Sequence, residues 1–196
     1  MTQKKILDHL REQLKKEAVD AFLIPRADRY QGEYVTPPEE RLRFISGFSG
    51  SNGMVVVTNK RAALFVDGRY TIQAEQEVSD HLYELERIEK GNLNRWLTKA
   101  LPEGAVIGFD PWLMTLSQHS ILKKKTAEHN LIFKALTGNP VDQIWTDRPK
   151  ALLSQAWPHD PAYTWPVPDK VEQVTQAMVS KKTDHLLITD PHTVCW

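Results

Sequence analysis

Hydrophobic residues along the first two thirds of the chain change repeatedly between helical and strand-like spacing. Residues 4–18 place apolar side chains at intervals of three and four among Lys, Arg and Glu, which predicts an amphipathic helix. The apolar run at 19–24 stops at Pro25, which predicts a buried strand that the proline terminates. The apolar positions of the predicted helix are Ile6, Leu7, Leu10 and Leu14.

A loop rich in glycine and serine, residues 46–53, leads directly into two β-rich runs. Residues 54–58 and 62–66 are joined by a three-residue connection, which predicts an antiparallel hairpin. Further spacing predicts helices at 70–78, 93–101 and 115–128, and strands at 82–88, 105–108 and 131–135. A hairpin inside an otherwise alternating pattern predicts an α/β fold whose mixed parallel and antiparallel sheet is flanked by helices.

Proline separates this first part from a second one. Five prolines between Trp145 and Asp169 exclude a long helix and predict an extended connection between domains. Beyond it, the pattern predicts a helix at 170–180 and a strand at 186–189, and residues 193–196 read as the start of another buried strand. We therefore expect a first domain at 1–140, a proline-rich linker at 141–168 and an incomplete second α/β domain at 169–196.

Composition excludes several classes of protein. The chain has 196 residues, 41% hydrophobic and 26% charged, with 25 basic and 25 acidic side chains. A net charge of zero provides no field that attracts nucleic acid or an anionic membrane, and no apolar run is long enough to span a bilayer. The single cysteine, Cys195, fits a reducing compartment. We expect a cytoplasmic protein without a nucleic-acid or membrane partner.

Candidate chemistry is sparse. The seven histidines show no paired ligand spacing, so the sequence predicts no metal site and no catalytic residue. The 46–53 loop lacks the phosphate-loop spacing and precedes a strand, so we interpret it as structural. Arg69, in the segment Asp67-Gly68-Arg69-Tyr70, could fork onto a peptide carbonyl or carboxylate. Taken alone, the residues favour a structural ion pair of Arg69 with Asp67 or Glu75.

Several motifs, taken together, resemble the N-terminal half of the three-domain Xaa-Pro aminopeptidases of peptidase family M24, relatives of creatinase and prolidase. The likeness covers residues 18–149 well and 169–196 more loosely. The motifs that carry it are Ala21-Phe22-Leu23-Ile24-Pro25, Gln31-Gly32-Glu33-Tyr34, the S-G-F-x-G-S-x-G pattern of 46–53, Phe65-Val66-Asp67-Gly68-Arg69-Tyr70, Gly108-Phe109-Asp110-Pro111, and Asn139-Pro140-Val141-Asp142-Gln143-Ile144-Trp145-Thr146-Asp147-Arg148-Pro149.

The resemblance implies a creatinase-type, ribonuclease H-like fold for the first domain. It also implies a third domain, outside this chain, that holds two divalent metal ions, with manganese as the expected metal. None of that family's metal ligands corresponds to a position here. The implied reaction releases the N-terminal residue from peptides with proline in second place, and a homodimer is expected. The resemblance further implies that Arg69 contacts the bound peptide, with Asp67, Tyr70 and Glu33 as candidate supports.

Three functional hypotheses remain open on the sequence. The first is the non-catalytic N-terminal portion of an aminopeptidase, inactive alone, with a role in substrate access and assembly. The second is a free-standing binding or oligomerisation module of the same fold. The third is a small-molecule-binding protein whose site lies near the loop from Gly47 to Gly53.

Overall fold

The computed structural model describes residues 2–89, 91–152, 154, 155, 157, 158, 160, 162 and 164–195. The chain divides into two compact units, Met1–Ala151 and Leu152–Trp196. The first unit contains the sheet and every residue that the sequence singled out as a candidate site. The two units are therefore described separately.

Within the described residues, one mixed sheet contains six strands, which are β1 (Ala21–Pro25), β2 (Gly53–Thr58), β3 (Ala62–Val66), β4 (Glu84–Arg87), β5 (Val106–Phe109) and β6 (Ile132–Ala135). They lie in the order β4-β3-β2-β1-β5-β6. Strand β2 pairs antiparallel with both β1 and β3, whereas the pairs β3·β4, β1·β5 and β5·β6 are parallel. Five strands therefore run one way and β2 runs the other, which confirms the predicted mixed sheet.

Helices cover both faces of this sheet. They are α1 (Gln3–Lys16), α2 (Arg41–Ser46), α3 (Thr71–Glu77), α4 (Asn92–Ala100), α5 (Leu116–Lys125) and α6 (Pro140–Ile144). Helix α1 buries the four apolar residues that predicted it, and Thr2 caps its N-terminus by accepting a hydrogen bond from the backbone N–H of Lys5. The capping box Thr115/Gln118 likewise fixes the start of α5.

Strand alternation separates two apolar cores. Phe22 and Ile24 of β1 point into the core under α1, α2 and α6, which we call the first face. Ala21 and Leu23 point into the core under α4 and α5, the second face, where Trp96 packs edge-on against Phe65. Because both faces are buried, the central strands read as nearly continuous apolar runs, as expected for a covered sheet.

The first unit extends further along the chain than the predicted first domain. Residues 141–151, predicted to be linker, belong to this unit. Helix α6 buries Val141 and Ile144 in the first-face core, and Asn139 caps it by accepting from the backbone N–H of Val141. Pro140 fits the first turn of α6, and Pro149, one of the five prolines of the predicted connection, follows this packed segment.

The regular elements of the described part of the second unit are helices. Helix α7 (Val167–Ser180) contains the predicted 170–180 helix, and Pro168 fits its first turn. The strand predicted at 186–189 does not form. Of residues 193–196, predicted to open another strand, residues 193–195 lie in the short helix α8 (Pro191–Cys195), and Trp196 lies outside the described residues. A strand needs a neighbour for its backbone N–H and C=O groups, and residues 186–189 have no strand partner among those described.

No described helix combines the length and the apolar character that crossing a membrane requires.

Candidate functional site

The candidate residues gather at one edge of the sheet. Strands β1, β3, β4, β5 and β6 all end there, and we call it the carboxyl edge. Asp67, Arg69 and Tyr70 directly follow the end of β3. Because β2 is reversed, the 46–53 loop that precedes it meets the same edge. One hairpin thus places the loop beside the Asp67–Tyr70 segment.

Arg69 is an exposed guanidinium held by its neighbour Asp67. The Asp67 carboxylate accepts from the backbone N–H of Arg69 at 3.0 Å, from Nε at 2.9 Å and, through its other oxygen, from a terminal guanidinium nitrogen at 3.4 Å. These bonds lower the pKa of Asp67, with the side-chain bond from Arg69 as the largest cause. The Arg69 side chain remains 70% exposed. The ion pair favoured by the residues alone is therefore present, yet the guanidinium stays open to solvent.

Tyr70 joins this segment to the glycine–serine loop. Its hydroxyl lies 2.6 Å from the Ser51 hydroxyl, a hydrogen bond that is the main cause of the lowered pKa of Tyr70. Its ring meets the buried Phe48 ring edge-on at 5.8 Å between centroids, and the Arg69 guanidinium lies 5.5 Å from the Tyr70 ring centre. Tyr70 thus contacts both the loop and the cation.

The loop itself is tightly held. Gly47 ends α2 with a φ of 82°, a left-handed conformation that favours glycine. A Cβ added to Gly50 would lie 2.2 Å from the Phe48 ring, so only glycine fits there without a shift. The Ser49 backbone N–H and hydroxyl each donate to the Glu77 carboxylate at 2.7 Å, and the Gln73 amide donates to Ser49. The structural interpretation of the loop accounts for all of these contacts.

Glu33 is linked to the glycine–serine loop through Arg26. Its side chain is exposed, and its backbone carbonyl accepts from Arg26 at 3.2 Å. Arg26 also donates to the Ser51 carbonyl and pairs with Glu40. Arg26 therefore connects the Glu33 segment to the loop that holds Tyr70. Arg26 and Ser51 are not among the predicted site residues, because only the folded chain brings these distant positions together.

A second polar cluster fastens the end of the first unit to α2. Arg41, which is 5% exposed, donates to the two oxygens of Asp142 at 2.6 and 2.9 Å and also pairs with Glu39. Arg148 pairs with Asp142 at 2.7 Å and donates to Glu39 at 3.3 Å. Two arginines and two carboxylates thus alternate in one network. Beside it, Trp145 stacks on Phe44 at 4.6 Å between ring centroids.

The described residues do not fit a metal centre. No three His, Cys, Asp or Glu side chains among them lie close enough to share an ion. We therefore assign no metal-dependent step to this part of the chain. What the carboxyl edge does offer is an oriented, exposed guanidinium, which can bind a carbonyl or carboxylate oxygen.

A family model described as the creatinase/prolidase N-terminal domain matches residues 6–141. The chain belongs to this family. Its mixed six-stranded sheet is accordingly the creatinase-type N-terminal fold that the motifs implied. The residues that match the family make up most of the first unit and include Arg69.

Similar proteins are peptidases much longer than this chain. The creatinase-type chain is 33% identical over 180 residues to aminopeptidase P1 of Lotus japonicus, covering 91% of this chain and 27% of that protein. It is 35% identical over 188 residues to Xaa-Pro aminopeptidase app-1 of Caenorhabditis elegans, covering 90% and 29%. The chain therefore spans less than a third of these relatives.

A solved structure agrees with the sequence matches. The X-prolyl aminopeptidase of Caenorhabditis elegans, described as a cytosolic enzyme with a di-nuclear active site, superposes with a TM-score of 0.83 at 34% identity. The match covers 94% of this chain and 32% of that one. The likeness thus extends past the creatinase-type domain into the second unit.

Proposed function

We propose that this chain is the non-catalytic N-terminal portion of an Xaa-Pro aminopeptidase, acting in substrate access and assembly. The observation that carries the proposal is the likeness to the Caenorhabditis elegans enzyme, which runs through 94% of this chain but only 32% of that structure. The reaction would release the N-terminal residue of peptides with proline in second place. The chemistry would belong to a portion outside these residues.

Arg69 is the residue of this chain that would contact the peptide. Its guanidinium is 70% exposed and is oriented by Asp67 and Tyr70 at the carboxyl edge. A guanidinium has five N–H donors, so Arg69 can keep its bond to Asp67 while donating others to a peptide oxygen. Asp67 and Tyr70 would act as positioning residues. Glu33 would contribute through Arg26 and Ser51.

The finer expectations belong to the same proposal. Two divalent metal ions would be held by the portion outside this chain, in keeping with the di-nuclear site of the Caenorhabditis elegans enzyme, and manganese is the expected metal. That enzyme is described as cytosolic, which supports a cytoplasmic location. A homodimer is the proposed assembly.

Hydrolysis of an X-Pro peptide tests whether catalysis requires the metal-binding portion outside this chain. The 196-residue chain with manganese should leave Ala-Pro-Phe intact, because its described residues contain no metal-binding group. The same chain, joined to the metal-binding portion of the Caenorhabditis elegans enzyme, should release alanine. Metal-dependent hydrolysis by the unjoined chain would contradict the proposal.

The joined protein also tests Arg69. Replacing Arg69 with Ala should lower kcat/KM at least about tenfold, through loss of charge-assisted bonds to the peptide. Arg69→Lys should restore only part of this, because an ammonium group cannot form a fork. Arg95→Ala, at an exposed position of α4, is the matched control and should leave kcat/KM unchanged. Equal activity of Arg69→Ala and Arg95→Ala would remove Arg69 from the site.

A free-standing binding or oligomerisation module is the second candidate. The first unit favours it, because every described residue of the two cores that cover its sheet belongs to this unit. The reading frame beyond the Trp196 codon distinguishes the two candidates. An immediate stop codon would favour the module, and a continuing frame that encodes metal ligands would favour the aminopeptidase.

A further inference from the structure

An apolar groove lies on the second face of the sheet, where α4 and α5 leave the ends of β1 and β2 partly uncovered. Its volume is about 380 Å³, within the range of roughly 300 to 1,000 Å³ typical of sites for small ligands. Glu89, Asn94, Gln118 and Lys125 contribute polar groups to its lining. The apolar residues that matter here are Pro25, Met54, Ile88, Leu93, Met114 and Ile121.

Strand geometry places this groove next to the Arg69 segment. Phe65 of β3 points into the core of the second face, and Asp67 comes directly after Val66, the last residue of that strand. The register pairs Val66 with Arg87, and the backbone N–H of Ile88 donates to the Val66 carbonyl at 2.8 Å. Continuing that register sets Asp67 beside Ile88, with strands about 4.8 Å apart. Asp67, whose carboxylate holds Arg69, therefore follows β3 beside Ile88, which lines the groove.

The groove and the Arg69 segment differ in their chemistry. The groove is mainly apolar, and half-exposed isoleucines flank it: Ile88 is 48% exposed and Ile121 is 52% exposed. Met54 and Met114 are unbranched side chains that adapt to differently shaped apolar groups. The exposed Arg69 guanidinium is bound to Asp67, the residue that continues the strand register beside Ile88. An extended peptide with one large apolar side chain near a carbonyl or carboxylate oxygen matches both features.

We propose that the groove receives an apolar side chain of an extended peptide whose carbonyl or carboxylate oxygen is bound by Arg69. The proposal rests on the proposed function for the role of Arg69, and adds to it a preference for peptides with a large apolar residue beyond the proline. The groove, with Ile88, Met54 and Met114, would determine that preference. A volume of 380 Å³ fits one such side chain and its flanking backbone better than a whole helix.

Methionine methyl signals of the 196-residue chain test the proposal by NMR. The probes are pentapeptides Gly-Pro-Gly-Gly-Gly in which phenylalanine replaces glycine at the third, fourth or fifth place, each as free acid and as amide. At least one phenylalanine peptide should shift the Met54 and Met114 methyls with saturation, while Met178 of α7 stays still. The all-glycine peptide should bind at least about tenfold more weakly.

Variants separate the two parts of the site. Ile88→Asp should weaken binding of the phenylalanine peptide about tenfold or more, whereas Ile132→Asp, at an isoleucine 54% exposed on β6, should not change it. Arg69→Ala should also weaken binding. Tighter binding of the free acid would identify the terminal carboxylate as the partner of Arg69, and equal binding would identify a backbone carbonyl.

The following results would contradict the proposed peptide site. Three results would each refute the groove as a peptide site. They are Met54 and Met114 methyl signals that do not shift at millimolar peptide, equally tight binding of the all-glycine peptide, and peptide binding that Ile88→Asp does not weaken. Unchanged binding by Arg69→Ala would refute the combined site. These measurements need no hydrolysis, so the groove stands or falls separately from the X-Pro activity of the joined protein.

Discussion

Replacing Arg41 with Met tests whether the buried ion network stabilises the first unit. Methionine keeps an apolar stem of similar length and removes only the guanidinium. The change deletes the two bonds to Asp142, at 2.6 and 2.9 Å, and the pair with Glu39. Both carboxylates then lose their most buried partner.

The magnitude follows from how much of the network survives. Removing one partner of a buried ion pair costs about 3–5 kcal/mol. Here the Asp142 side chain is 27% exposed and retains Arg148 at 2.7 Å, so we expect a smaller loss of about 2–3 kcal/mol in the free energy of unfolding. Arg61→Met is the matched control. Arg61 also forks onto a carboxylate, that of Glu84 at 2.7 and 2.6 Å, but both side chains are about 40% exposed. Its loss should stay below about 1 kcal/mol.

Urea unfolding followed by circular dichroism measures both variants at low and high salt. The Arg61→Met loss should shrink at 1 M salt, where the screening length falls to about 3 Å, and the Arg41→Met loss should persist. An Arg41→Met loss no larger than that of Arg61→Met would refute the reasoning that burial, and not bond count, determines the contribution of these pairs.

The loop and the Arg69 pair give further predictions. Gly50→Ala should destabilise the fold by about 1–3 kcal/mol in thermal unfolding, because the added Cβ would lie 2.2 Å from the Phe48 ring. Gly68→Ala is the control and should cost less than about 0.5 kcal/mol, because a Cβ there meets nothing within 4 Å. Equal losses in the two variants would contradict the clash. Phe48→Ala should cost about 3–5 kcal/mol, and adding Gly50→Ala to it should cost little more, since the obstructing ring is gone; strictly additive losses would be the contrary result. Arg69→Gln should raise the pKa of Asp67 toward its ordinary value in a carboxyl NMR titration. Because the folded-state pKa of Asp67 is lowered, the pair stabilises the fold above the ordinary pKa of a free aspartate, and that stabilisation is lost as pH falls through the folded-state value. An unshifted Asp67 would show that Arg69 is not its main partner.

Local patterns predict most of the first unit because its elements agree with their sequence. The hairpin of β2 and β3, the helix α1 and the parallel strands all follow from hydrophobic spacing within ten to fifteen residues. Helix α6 escapes prediction although Asn139, Pro140 and Asp142 form a good helix start. Pro140 resembles a loop signal in the sequence, because nothing local shows that Val141 would find a core to enter.

The candidate site is only half predictable for the same reason. Arg69 and Asp67 are two residues apart, and their pairing follows from the local turn. Ser51, Arg26 and Ile88 join the same edge through strand pairing across tens of residues. At 186–189 the local pattern instead predicts a strand that does not form, because an apolar run forms a strand only where another strand is present to bond it.

The reversed direction of β2 has a practical consequence for redesign. Its hairpin turn, residues 59–61, lies at the opposite end of the sheet, about 15–20 Å from the carboxyl edge, given some 3.3 Å per strand residue. That turn is therefore a suitable place for an inserted tag or a labelled loop, because the buried faces of β2 and β3 fix the strand register. A single residue inserted within β2 would instead exchange the side chains of its two faces, withdrawing Met54 from the groove and displacing Ser51 relative to Tyr70. The same hairpin thus offers one end that tolerates variation and another that fixes the binding surface.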